Sequence, residues 1–108
     1  MFGSKKEENK TSTYDPKLVE KLKPFVVVPD SMVPLERKKE LLEVMDEAIG
    51  TCSTDGELDY HRLLNILVQD LGKGNIDEYE FMFLNFVISS FVFHVQATGI
   101  PLDLKKLI

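Results

Sequence analysis

Apolar positions fall into four stretches of helical spacing, separated by prolines and glycines. Asp15-Pro16 opens the first. An aspartate can accept a bond from a first-turn amide, and proline at the first helical position gives up an N–H that has no intrahelical acceptor. Leu18, Val19 and Leu22 then make one stripe, which Pro24 ends, because the residue before a proline is pushed away from helical angles. Phe25-Val26-Val27-Val28 is β-branched and fenced by Pro24 and Pro29. That pattern predicts a short extended segment, edging or crossing the helices.

The second helix is expected over Pro34 to Ile49, with Leu35, Leu41, Leu42, Met45, Ala48 and Ile49 at helical spacing and Gly50 as its stop. Glu36, Arg37, Lys38, Lys39, Glu40, Glu43, Asp46 and Glu47 form its solvated face. Thr51 to Gly56 reads as a turn. A third helix runs from about Asp59 to Leu71, with Tyr60, Leu63, Leu64, Leu67 and Leu71 on one side, and Gly72-Lys73-Gly74-Asn75 breaks it. The fourth runs from about Asp77 to Ala97 and is apolar almost all round, which marks the central, most buried element. Its polar residues Glu78, Asn85, Ser89 and Gln96 recur at helical intervals as a narrow stripe. Phe91-Val92-Phe93-His94-Val95 is rich in strand formers, but the length of the run and its Glu78-Tyr79-Glu80-Phe81 start favour helix. Gly99 and Pro101 close it.

The fold expected is therefore mainly α: a small helical bundle of about four helices, with a central apolar C-terminal helix and one short extended segment. Residues 14–101 make the domain, between a flexible N-terminal tail (1–13) and a short amphipathic C-terminal tail (102–108). At 108 residues a single domain is expected, able to bury about two-thirds of its unfolded surface without staples.

Charge narrows the choice of partner. The net charge is −5, yet residues 1–23 hold six lysines against four acidic residues, leaving seven basic against fourteen acidic in the remainder. An acidic body repels phosphate backbones, so nucleic acid is not an expected ligand. No apolar segment of a secretory signal follows Met1-Phe2-Gly3-Ser4-Lys5-Lys6, and Gly3 stands one place too late for myristoylation. The most apolar run, Phe81 to Val95, is interrupted by Asn85, Ser89, Ser90 and His94. It falls short of the roughly 20 residues of a membrane span, so no membrane association is expected. A single cysteine, Cys52, leaves no intrachain disulfide and suits a reducing interior, which points to a cytoplasmic protein.

One internal repeat carries a chemical question. Gly56-Glu57-Leu58-Asp59-Tyr60-His61-Arg62-Leu63 echoes Gly74-Asn75-Ile76-Asp77-Glu78-Tyr79-Glu80-Phe81. Gly74, Ile76, Asp77 and Glu80 resemble the second half of an EF-hand calcium loop. The first half would place Gln69, Leu71 and Lys73 where the ion needs oxygens. In the other segment Arg62 stands at the position of the bidentate glutamate. Helix capping accounts for the same residues: Asp59 and Asp77 as N-caps, Leu58 with Leu63 and Ile76 with Phe81 as staples, and Glu80 returning a bond to its cap. No metal or cofactor is expected.

No catalytic residues are expected either. His61, His94 and Cys52 are the groups most suited to catalysis, but no nucleophile elbow, phosphate-binding glycine loop or paired histidine motif accompanies them. Cys52 reads as a small turn or core residue, and His94, in an apolar run, as a hydrogen-bonded core or surface histidine. A recognition helix of a helix-turn-helix pair would need basic residues that the fourth helix lacks. The expectation is a non-catalytic protein that binds another protein or itself: an accessory or structural subunit of a larger assembly, or a small regulator. The alternatives are a viral or mobile-element inhibitor of a host protein, placed in a virion or host cytoplasm, and a degenerate EF-hand-like calcium binder. Phe25, Val26, Val27, Leu104, Leu107 and Ile108 are the expected contact residues, since each is apolar and lies outside the helical stripes.

Overall fold

The computed structural model describes residues 15–55 and 57–108, so the expected tail over 1–13 lies outside the described residues. The chain forms α1 (Pro16–Leu22), a 3-10 turn (Lys23–Val26), α2 (Leu35–Thr51), a hairpin of β1 (Ser53–Thr54) and β2 (Glu57–Leu58), α3 (Tyr60–Lys73), α4 (Glu78–Thr98) and a C-terminal 3-10 turn (Leu104–Leu107). The protein is a small helical bundle with one long apolar C-terminal helix. Its residues cluster into two compact units: the chain through Val26 together with Val87–Ile108, and Val27–Phe86.

The first unit begins at a cap. Asp15 Oδ1 accepts the amides of Lys17 and Leu18 at 3.0 and 3.3 Å, with Pro16 in the first turn. Val19 and Leu22 are buried as their spacing requires. The extended segment expected at Phe25–Val28 does not form. Lys23–Val26 winds into a 3-10 turn that buries Val26. The fixed φ of Pro24 suits that turn, whereas a lone strand would leave its backbone without a ladder. The short amphipathic segment 102–108 buries its apolar side. Asp103 Oδ1 accepts the Lys105 amide at 3.2 Å, and Leu102, Leu104 and Leu107 are all buried. The turn that carries Leu104 and Leu107 packs against α1. Burying each leucine is worth roughly 1.5–3 kcal/mol, enough to offset the ordering of a short segment.

In the second unit α2 starts at Leu35, directly after Pro34, and runs through Gly50 to Thr51. Gly50 does not stop it. An exposed glycine costs a helix only about 1 kcal/mol, and the stop comes two residues later, at Cys52. Leu41, Leu42, Met45 and Ile49 are buried, as is Lys38, which the sequence pattern assigns to the solvated face. Its long stem lets the ammonium reach the Val28 carbonyl and, at 2.9 Å, the Asp30 carboxylate. The turn after α2 is a small hairpin with Ser53 opposite Leu58 and Thr54 opposite Glu57. Asp55 takes a positive φ of 55° at its tip, a conformation aspartate tolerates better than most residues.

Both repeat segments are helix starts. Asp59 Oδ1 accepts the Arg62 amide at 3.0 Å. Asp77 and Glu80 form a reciprocal box, Glu80 N–H donating to Asp77 at 2.8 Å and Asp77 N–H to Glu80 at 2.9 Å. Between them α3 ends in a left-handed turn. Gly74 has φ 79°, its amide donates to Leu71 O at 3.1 Å, and the Asn75 amide donates to Asp70 O at 2.9 Å. Residues 91–95 are helical within α4. That helix supplies buried Phe83 and Leu84 to the second unit and Val87, Ile88, Phe91 and His94 to the first.

Candidate interaction surface

Apolar side chains that a folded protein leaves in water are the starting point for a contact surface, because covering them recovers hydrophobic free energy. The six residues that the sequence pointed to divide evenly. Phe25 is 71% exposed, Val27 70% and Ile108 40%, whereas Val26, Leu104 and Leu107 are buried. The buried three are committed to the protein's own packing and leave the contact set. Phe25 is displayed because the turn after Pro24 directs Val26 inward. Phe25 and Ile108 belong to the first unit and Val27 to the second.

Further exposed residues come from the helices and, for Met32, from the turn before α2. The first unit also shows Phe93, and the second shows Met32, Leu35, Val44, Tyr60, Val68, Tyr79 and Met82. Phe93 was legible in principle. It stands four residues beyond Ser89 and three before Gln96, and both of those are exposed as the polar stripe predicts. Val44 and Val68 have no comparable signal, since valine at an exposed helix position is unremarkable in composition.

Of the groups most suited to chemistry, two are buried and one is exposed. Cys52 is buried at the end of α2, where its amide donates to Ala48 O and its carbonyl accepts the Asp59 amide at 2.7 Å. His61 is exposed on α3, and His94 is fully buried in the first unit. Among the described residues no three His, Cys, Asp or Glu side chains converge as metal ligands. Asp59, Asp77 and Glu80, the oxygens of the repeat, are instead engaged with helix amides.

The second unit contains an ion pair that sequence reasoning missed. Arg37 Nε donates to Glu80 Oε2 at 2.5 Å, Nη1 to Glu40 at 3.4 Å and Nη2 to the Asn75 carbonyl at 3.3 Å. The guanidinium thereby ties the start of α2 to the start of α4. The Glu80 hydrogen bond, opposed in part by burial, holds Arg37 above its ordinary pKa. Residues 43 apart leave no local sequence pattern to announce such a pair.

α4 is also long and apolar enough to cross a membrane, by length and composition alone. An 18-residue window has mean hydropathy 1.4, and 39% of it is buried inside the protein. The same property marks the core helix of a soluble protein. Comparison with protein-family models, with curated proteins and with solved structures finds no match to this chain.

Proposed function

We propose that the protein acts by binding another protein, or a second copy of itself, without catalysis. It would serve as an accessory or structural subunit of an assembly, or as a small regulator, in the cytoplasm. The observation that supports this reading is the display of Phe25 and Val27 at 71% and 70% exposure, the highest among the large apolar side chains of the described residues. A phenylalanine held in water is costly to keep and well suited to anchor a contact, since aromatic anchors dominate interface energetics. The acidic balance of the chain beyond residue 23 favours a partner with a basic face.

The mass in solution, by light scattering after size-exclusion chromatography, separates the two forms of the proposal. A discrete oligomer that a Phe25→Ser, Val27→Ser double variant dissociates indicates self-assembly through these residues. A monomer indicates a different partner, to be recovered by affinity capture with the wild type and the double variant side by side. A partner held equally by both, or none recovered by either, counts against a contact role for Phe25 and Val27. Flotation with lipid vesicles checks the hydropathy of α4: a protein that stays in the aqueous fraction is consistent with its core role.

A further inference from the structure

His94 is fully buried in the first unit, and both of its ring nitrogens meet backbone groups. Nε2 lies 2.8 Å from the Asp15 amide. An amide can only donate, so Nε2 is the acceptor. Nδ1 lies 2.9 Å from the Ile100 carbonyl, which can only accept, so Nδ1 carries the proton. The neighbours thus fix one neutral tautomer. The Thr98 hydroxyl, 3.3 Å from Nδ1, donates to the His94 carbonyl at 2.7 Å and accepts the Ile100 amide at 3.0 Å. Through this ring the N-cap residue of α1 is fastened to the end of α4, 79 residues away.

We propose that His94 is a pH-sensitive latch, whose protonation at Nε2 releases the start of α1 from the C-terminal end of α4. A second ring proton turns the acceptor into a donor that faces the Asp15 N–H. The bond is lost and two donors confront each other at a ring that is itself fully buried, where an unpaired polar group costs free energy.

The charged groups on the surrounding elements offer the imidazolium little compensation. α1 and the turn after it bring Asp15, Lys17, Glu20, Lys21 and Lys23, and the C-terminal segment brings Asp103, Lys105 and Lys106. Lys17, Glu20, Lys21, Lys105 and Lys106 are exposed. The half-buried carboxylates, Asp15 and Asp103, each accept backbone amides of their own turn. Among the described residues no carboxylate is hydrogen-bonded to the ring. No other titratable group lies on α4 between Val87 and Thr98.

The direction follows from proton counting. The closed latch excludes the second proton and the open state binds it, so the open state gains as pH falls. Opening then grows as pH falls, by up to roughly tenfold per pH unit for one linked proton.

Amide hydrogen exchange on the full chain between pH 7.5 and 5 tests this, read as protection factors that divide out the intrinsic pH dependence of exchange. The amides of Leu18 and Val19 are expected to lose up to about tenfold protection per pH unit as the pH falls across this range, while Leu42 and Met45 in α2 keep theirs. His94→Gln should make α1 protection independent of pH, and His61→Gln should leave the wild-type response intact. Should His94→Gln fail to fold, ring nitrogen chemical shifts of the wild type give a second reading. A neutral Nδ1–H ring at pH 7.5, charging in step with the loss of α1 protection, supports the latch. A ring that charges while α1 stays protected overturns it, and so does a loss of protection shared equally by α1 and α2.

Discussion

Asp77 and Asp59 occupy equivalent places in the repeat, yet they are not equally supported. Asp77 receives a return bond from Glu80, and Asp59 has Arg62 at the corresponding place and receives none. Asp77→Ala is expected to cost about 1 kcal/mol or slightly more, and Asp59→Ala less, in urea-induced unfolding. Lys38 is a second residue whose role depends on its neighbours. Lys38→Ala leaves the Val28 carbonyl without its ammonium partner and should cost about 1–3 kcal/mol. Lys39→Ala, one residue on and exposed, should fall within about 0.5 kcal/mol of the wild type. Helical spacing pointed to both caps, because a cap is a local event. It misread Lys38, because the groups that satisfy its ammonium lie on the segment before α2, eight and ten residues away.

Among the elements, the glycines make the sharpest test. Gly50 lies inside α2 with open space around the position of a side chain, and Gly74 sits at φ 79° with equally open space. Space is therefore not what separates them. Gly50→Ala should stabilise the protein by roughly 0.5–1 kcal/mol, by raising helix propensity and restricting the unfolded chain. Gly74→Ala should destabilise it by about 1 kcal/mol, because alanine pays for the left-handed backbone. Thermal unfolding of the two variants reads both signs directly. The four helices and their approximate ends were legible in apolar spacing, prolines and caps. The hairpin at Ser53–Leu58 and the two 3-10 turns were not, because elements of two to four residues are too short to show a period.

For the whole molecule, the engagement of the repeat's oxygens in helix caps bears on calcium. Five millimolar calcium should leave the melting temperature unchanged, on the order of the signal noise, since ligands that bind only the folded state raise it by mass action. A rise of several degrees would revive the EF-hand reading. In the core, Phe83 is fully buried, and Phe83→Ala should cost about 3–5 kcal/mol, a large part of the stability of a domain this size. Chemical denaturation reads it, provided that the variant still unfolds in one step. Which of the six apolar candidates face water was not legible. Apolar character marks Phe25 and Leu104 alike, and only packing separates the 71% exposed phenylalanine from the buried leucine.

By itself the sequence determined the helical class, the four helices, and the capping roles of Asp15, Asp59, Asp77 and Glu80, and it favoured helix at residues 91–95 without deciding it. Each follows from interactions within one turn or from a period repeated over several. The tertiary structure decided which apolar residues face water, that the C-terminal leucines join the packing, that Arg37 pairs with Glu80, and that His94 meets Asp15. Those outcomes depend on which segments meet in space, and a separation of 43 or 79 residues leaves no trace in local spacing.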